Sequence, residues 1–157
     1  MTVDDLFFID FEASSLSKKS YPISAGWVKA SGENDTFLIS PSSDWTDWDV
    51  ESQSIHGLSR KTLFDNGIDC CEAMKRLNLH LKGSIAVCSS VYDIFWLRRL
   101  RDASEVHEEF QLVNCLHLSI IDEHNYHRIC RLIESNSTHN PIDDAIALKN
   151  AILSLMN

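Results

Sequence analysis

The chain has 157 residues and a net charge of −9, from 14 basic and 23 acidic side chains. At 44% hydrophobic and 24% charged it can bury one ordinary core, which excludes disorder, collagen and coiled coil and predicts a single domain over residues 1–157. The acidic balance excludes a broad nucleic-acid-wrapping surface, since that draws on many Lys/Arg–phosphate contacts, yet leaves room for a small site that holds phosphates through cations.

The N-terminus, Met1-Thr-Val-Asp-Asp5, is acidic where a secretory signal would be basic, and no apolar run approaches the ~20 residues of a membrane span. The five cysteines (Cys70, Cys71, Cys88, Cys115 and Cys130) form no Cys-x-x-Cys pair and read as reduced thiols of a cytoplasmic protein. Residues 3–11 are short, apolar and rich in β-formers, which predicts a buried strand. Residues 14–20 are small and polar, hence a loop. Residues 21–30 and 35–40 read as a hairpin around the turn cluster 31–34. Residues 45–57 are irregular, with a short helix around 50–54. Ser59 caps a helix to about 65, stopped by Asn66-Gly67, and Asp69 caps another to about 81 with Met74, Leu77 and Leu81 at helical spacing. A short strand at 84–88 leads to a helix at 92–100 with Ile94, Phe95, Leu97 and Leu100 inward. A strand at 112–116, a helix at 119–134 and a last helix from Asn140 to 155 complete the chain. This order predicts an α/β domain with a mixed sheet.

Three constellations carry candidate chemistry. Asp10 and Glu12 close the first strand, and residues i and i+2 of a strand share a face, so two carboxylates project together. Like charges held close resist ionisation, and a divalent cation removes that cost. His139-Asn-Pro-Ile-Asp-Asp144 brings an imidazole and a carboxylate to one helix start, with Asn140 as cap and Pro141 in the first position; acidic residues there also suit the helix dipole without any further role. Asp93 opens the helix after the 84–88 strand. The order of elements allows all of them to meet at one sheet edge. Four carboxylates and a histidine there would form a two-metal hydrolase site, one ion activating water and the other neutralising the leaving oxygen.

These residues resemble the DEDDh group of proofreading-type 3′→5′ exonucleases, in the ribonuclease H-like superfamily. Ile9-Asp-Phe-Glu-Ala-Ser-Ser-Leu16 is similar to the first motif, Ile55-His-Gly-Leu58 to an Ile-His-Gly element, Tyr92-Asp93 to the second motif, and His139 to Asp144, followed by Ala145, to the third. The resemblance spans about residues 6–150. It implies a ribonuclease H-like fold, a central mixed sheet flanked by helices, and metal ligation by Asp10, Glu12, Asp93 and Asp144. Two Mg²⁺ or Mn²⁺ ions per site and His139 as general base follow from it. Ala13, Ser14 and Leu16 of the first motif would line the substrate, Leu16 as a wedge against the terminal bases, and His56 would line the 3′-nucleotide pocket. Two positions depart from the pattern: Ser15 stands where a glycine usually precedes the leucine, and Cys88-Ser89 where a His-Asn pair often stands.

Other signals have plainer readings. His124, His127 and Cys130 recur at three-residue steps that drift around a helix, which disfavours a zinc site and reads as partial burial of a helix face. Arg98, Arg99 and Arg101 read as a solvated helix face, with a phosphate contact as the alternative. Trp45 and Trp48 read as loop anchors, with base stacking as the alternative. The expected function is exonucleolytic release of nucleoside monophosphates from 3′ ends of single-stranded DNA or RNA and short oligonucleotides. The alternatives are a non-catalytic nucleic-acid- or partner-binding domain of the same fold and a structure-specific endonuclease. No membrane partner is expected. DNA against RNA and the oligomeric state, a homodimer included, stay open.

Overall fold

In the computed structural model, which describes residues 3–119 and 121–155, five strands form one sheet: β1 (Phe7–Ala13), β2 (Pro22–Lys29), β3 (Asn34–Leu38), β4 (Ile85–Cys88) and β5 (Gln111–Asn114), in spatial order β3-β2-β1-β4-β5. The β1–β2 and β2–β3 pairs are antiparallel, and the β1–β4 and β4–β5 pairs parallel. Between them run α1 (Val50–His56), α2 (Arg60–Asn66), α3 (Cys70–Leu81) and α4 (Val91–Ser104), then α5 (Glu123–Asn136) and α6 (Pro141–Leu153). The expected mixed α/β architecture is the observed one.

Strand alternation divides the core. Phe7, Ile9 and Phe11 of β1 face a cluster with Met74, Leu77 and Leu100 of α3 and α4, while Phe8 joins Ile129, Leu148 and Ile152 of α5 and α6 on the other side. By the same parity Asp10 and Glu12 lie on the α6 face.

Several boundaries differ from expectation. The first strand begins at Phe7, because Val3–Asp5 forms a 3₁₀ turn with Asp4 and Asp5 exposed. Helix α4 runs on to Ser104 and turns Asp93 and Trp96 fully inward with Leu97 and Leu100, leaving Ile94 and Phe95 half-buried. Strand β5 stops at Asn114, whose side chain accepts from Leu116 N at 3.0 Å and starts a 3₁₀ turn over Cys115–His117. The next helix begins only at Glu123, capped by Asp122; Ile120, inside its expected span, lies outside the described residues. Helix α6 ends at Leu153 rather than 155.

One glycine fixes how the layers meet. Gly26 of β2 pairs with Asp10 of β1, and a Cβ built on it would lie 2.4 Å from Ile142 N and 2.5 Å from Pro141 C. Only a residue without a side chain lets the first turn of α6 rest directly on the sheet. That contact brings Asp144 beside the β1 carboxylates.

Candidate active site

Strands β1 and β4 pair only through Phe7–Ala86 and Phe8–Val87 and then part. Asp93 fills the opening. Its Oδ1 accepts from Phe11 N at 3.2 Å, and its Oδ2 accepts from Ser90 N at 3.3 Å within a capping box at the start of α4. Asp93, 1% exposed, is therefore held against β1, close enough for its charge to act on Asp10 and Glu12, by backbone hydrogen bonds rather than by ion pairing. Asp144 enters from the opposite side, Oδ2 accepting from Ser137 Oγ at 3.0 Å and Oδ1 from Thr138 N at 3.1 Å. His139 sits in the loop these bonds tie down, with φ 54°. This left-handed conformation is uncommon for a non-glycine residue, and it turns the chain sharply just before the Asn140 cap.

Asp10, Glu12, Asp93, His139 and Asp144 line one cavity of about 330 Å³, with Leu16 at its rim. One ligand atom from each of Glu12, His139 and Asp144 lies within 4.8 Å of the other two. Asp10 Oδ2 is fully buried and has no hydrogen-bond partner among the described residues. Burial, and then the charges of Asp93, Glu12 and Asp144, push the Asp10 carboxyl well above its ordinary range. Burial, then Asp144 and Asp93, push Glu12 up to about 8. Burial pushes Asp93 up to about 7, against the two backbone N–H groups that favour its charged form. Buried carboxylates at such distances are costly without a counter-charge, and hard oxygen donors with an orphaned lone pair fit a divalent cation such as Mg²⁺ or Mn²⁺. The five residues expected from separate motifs are thus brought together.

The expected substrate residues divide. Leu16, 66% exposed, and Ala13 line an adjoining cavity of about 200 Å³ whose far wall is Ile55 and His56. His56 Nδ1 accepts from Leu58 N at 3.1 Å, so the neutral ring carries its proton on Nε2, a buried atom without a partner among the described residues. Burial, then the proximity of His139, lowers its pKa and keeps it neutral. Ser14 is not among the residues lining either cavity: it is buried, and its hydroxyl donates to Asp47 Oδ2 at 2.8 Å. Cys88 is buried and turns its Sγ to Ser90 O at 3.3 Å.

The remaining signals divide: both tryptophans anchor loops, whereas only one of the three arginines is a solvated face residue and the α5 histidines are more exposed than expected. Trp45 is buried, stacked on Tyr21 at 4.9 Å; Trp48 is half-buried and donates to Gln53 Oε1 at 2.8 Å. Arg99 donates to Ser20 O, and Arg101 pairs with Asp102 and Glu108, which leaves Arg98 as the exposed member. His124 and His127 are exposed on α5 and belong to no metal-sized cluster among the described residues. Sequence reasoning missed Ser137, Thr138, Gly26 and Asp47. Gly26 had a readable signal, a lone glycine inside a run of β-formers. The others act through contacts that no local pattern encodes.

No protein-family model matches the chain, and no curated protein matches it in sequence. Solved structures of exonuclease I share its fold. The moderately thermophilic exonuclease I of Methylocaldum szegediense superposes with a TM-score of 0.72 at 16% identity, covering 96% of this chain and 40% of that one. The zinc-bound complex of E. coli exonuclease I with single-stranded DNA gives 0.70 at 14% identity, and its complex with a dT13 oligonucleotide 0.69 at 12%, each covering 96% of this chain and 40% of the enzyme. The chain thus spans about two fifths of the length of these enzymes. The fold is ribonuclease H-like, a mixed five-stranded sheet flanked by helices.

Proposed function

We propose that the chain is a metal-dependent 3′→5′ exonuclease of the DEDDh type, releasing nucleoside monophosphates from the 3′ ends of single-stranded nucleic acid and short oligonucleotides. The observation that carries this reading is the convergence of Asp10, Glu12, Asp93, Asp144 and His139, from three distant segments, on one cavity. The likeness to exonuclease I, solved with single-stranded DNA and with zinc, supports the substrate class and the need for a divalent ion. The acidic chain suits substrates gripped at a terminus rather than along a duplex. Its five free cysteines suit a reducing compartment, and we assign it to the cytoplasm; no helix among the described residues is long and apolar enough to cross a membrane.

Asp10, Glu12, Asp93 and Asp144 would hold two ions. When bound, these supply a water of lowered pKa and neutralise charge on the phosphate oxygens. His139, exposed on its loop beside Glu12 and Asp144, accepts the proton of the attacking water. Leu16 and His56 face each other across the adjoining cavity and orient the terminal nucleotide, His56 donating Nε2–H to an oxygen acceptor.

The test is cleavage of 5′-labelled single-stranded DNA and RNA, with a circular single strand as control. A ladder shortening from the 3′ side is expected with Mg²⁺ or Mn²⁺ and none in chelator. Unchanged cleavage in excess chelator, or efficient cutting of the circle, would overturn the reading.

A further inference from the structure

The loop between β1 and β2 is fastened by one carboxylate. Asp47 Oδ2 accepts from Ser14 Oγ at 2.8 Å and Ser15 Oγ at 2.7 Å, and Asp47 Oδ1 accepts from Ser17 Oγ at 3.0 Å. An ionised carboxylate can only accept, so each hydroxyl proton points at Asp47 and each hydroxyl oxygen is free to accept in turn. Those oxygens take backbone N–H groups: Ser14 Oγ from Tyr21 at 3.2 Å, Ser15 Oγ from Ser17 at 3.0 Å and Ser17 Oγ from Lys19 at 3.1 Å. One side chain thus orders three hydroxyls and, through them, three amides of the eight-residue loop 14–21.

What the loop carries is Leu16, one wall of the 200 Å³ cavity; the other wall is Ile55 and His56 on α1. Asp47 lies just before Asp49, which caps α1, and Asp49 N donates to Ser14 O at 3.2 Å. Both walls therefore meet at the Asp47 clasp. Ser15, which lines the cavity, takes part through its hydroxyl.

We infer that Asp47 is a positioning residue that sets the gap between Leu16 and the Ile55–His56 wall, and so the affinity for the terminal nucleotide. The inference rests on the exonuclease reading above. Asp47 itself lines neither the carboxylate cavity nor the Leu16 cavity, and the loop it fastens contributes Leu16 but none of the four carboxylates and not His139, so its loss is expected to act first on substrate placement.

The test combines kinetics with hydrogen exchange on the full chain. Asp47→Ala should raise KM for a short 5′-labelled oligonucleotide by about tenfold, as expected for losing hydrogen bonds to a charged group, with kcat within about twofold of wild type. Exchange protection at the Ser17, Lys19 and Tyr21 amides should fall while β1 and α1 stay protected, since Asp49 caps α1 with its own side chain. Asp47→Asn, which keeps one acceptor oxygen, should fall between. Ser17→Ala, a milder change at an exposed residue, should release the Lys19 amide and raise KM by less than Asp47→Ala. Wild-type KM and unchanged exchange in a folded Asp47→Ala chain would overturn the inference. Wild type that neither binds nor cuts any strand would overturn the exonuclease reading instead, and the exchange data would still decide whether the clasp exists.

Discussion

Asp10 feels burial and the charges of all three other carboxylates, and it has one buried oxygen with no partner among the described residues. Asp10→Asn keeps the shape and removes the charge. Turnover should fall below about a tenth of wild type, given the several kcal/mol a metal site supplies. The melting temperature in chelator should rise, because repulsion with Asp93 and Glu12 is relieved. Retained turnover, or a drop in metal-free stability, would remove Asp10 from the ligand set. His139 is a different case, since it is exposed and stabilises little by burial. Replacing it by Ala should cost about 10²–10⁴ in single-turnover rate, the usual worth of a general base. The rise in melting temperature on adding Mn²⁺ should survive. A loss under about threefold would mean that another group takes the proton.

Among the elements, the position of α6 decides whether a site exists at all. Its first turn rests on Gly26, directly opposite Asp10 in the β1–β2 register. Gly26→Ala puts a methyl group where Ile142 N and Pro141 C already stand, and neither backbone atom can step aside without moving the helix. Overpacking of this kind costs about 1–3 kcal/mol. The start of α6 should move off the sheet and carry Asp144 from Asp10 and Glu12. The expected outcome is a lowered melting temperature together with a smaller Mn²⁺-induced rise. A wild-type rise in the variant would show that Asp144 keeps its place without this contact. The helix boundaries make the same point more gently. Helix α3 was legible to the residue, because Asp69, the apolar spacing and Gly83 are all local signals. Helix α4 outran its expected end, since Ala103 packs against the core and Ser104 is buried only in the folded chain.

For the molecule as a whole, the carboxylate cluster makes stability depend on pH. Glu12 rises from an ordinary value of 4.5 to about 8, and Asp93 from 3.8 to about 7, each chiefly through burial. Between those limits the folded chain holds protons that the unfolded chain has lost, so stability falls as pH rises. In chelator the melting temperature should therefore decline from about pH 5 to pH 8, a window set by these shifts. Divalent ions bind the ionised folded state, so the stabilisation from Mg²⁺ or Mn²⁺ should be larger at pH 8 than at pH 6. A melting temperature that climbs with pH in chelator would contradict the cluster as described. The experiment needs no substrate and is independent of any nuclease assay.

The sequence by itself determined the residue types of the site, their order and the elements that carry them. Alternation in a strand and capping at a helix start are short-range rules, legible over a few residues. They placed Asp10 with Glu12, Asp93 at the head of α4 and Asp144 at the head of α6. They also gave the mixed α/β character, since each strand and helix announces its own period. Only the tertiary structure decided that these heads meet. Phe11 N reaches Asp93 because β1 and β4 part after Phe8; Ser137 and Thr138 reach Asp144 because the loop before α6 folds back; α6 sits close enough because Gly26 has no side chain. The clasp of Asp47 on three serines joins residues about thirty positions apart, with no period or motif linking them. Contacts of that kind depend on where the sheet ends and how helices lie across it, which long-range packing fixes and local pattern does not.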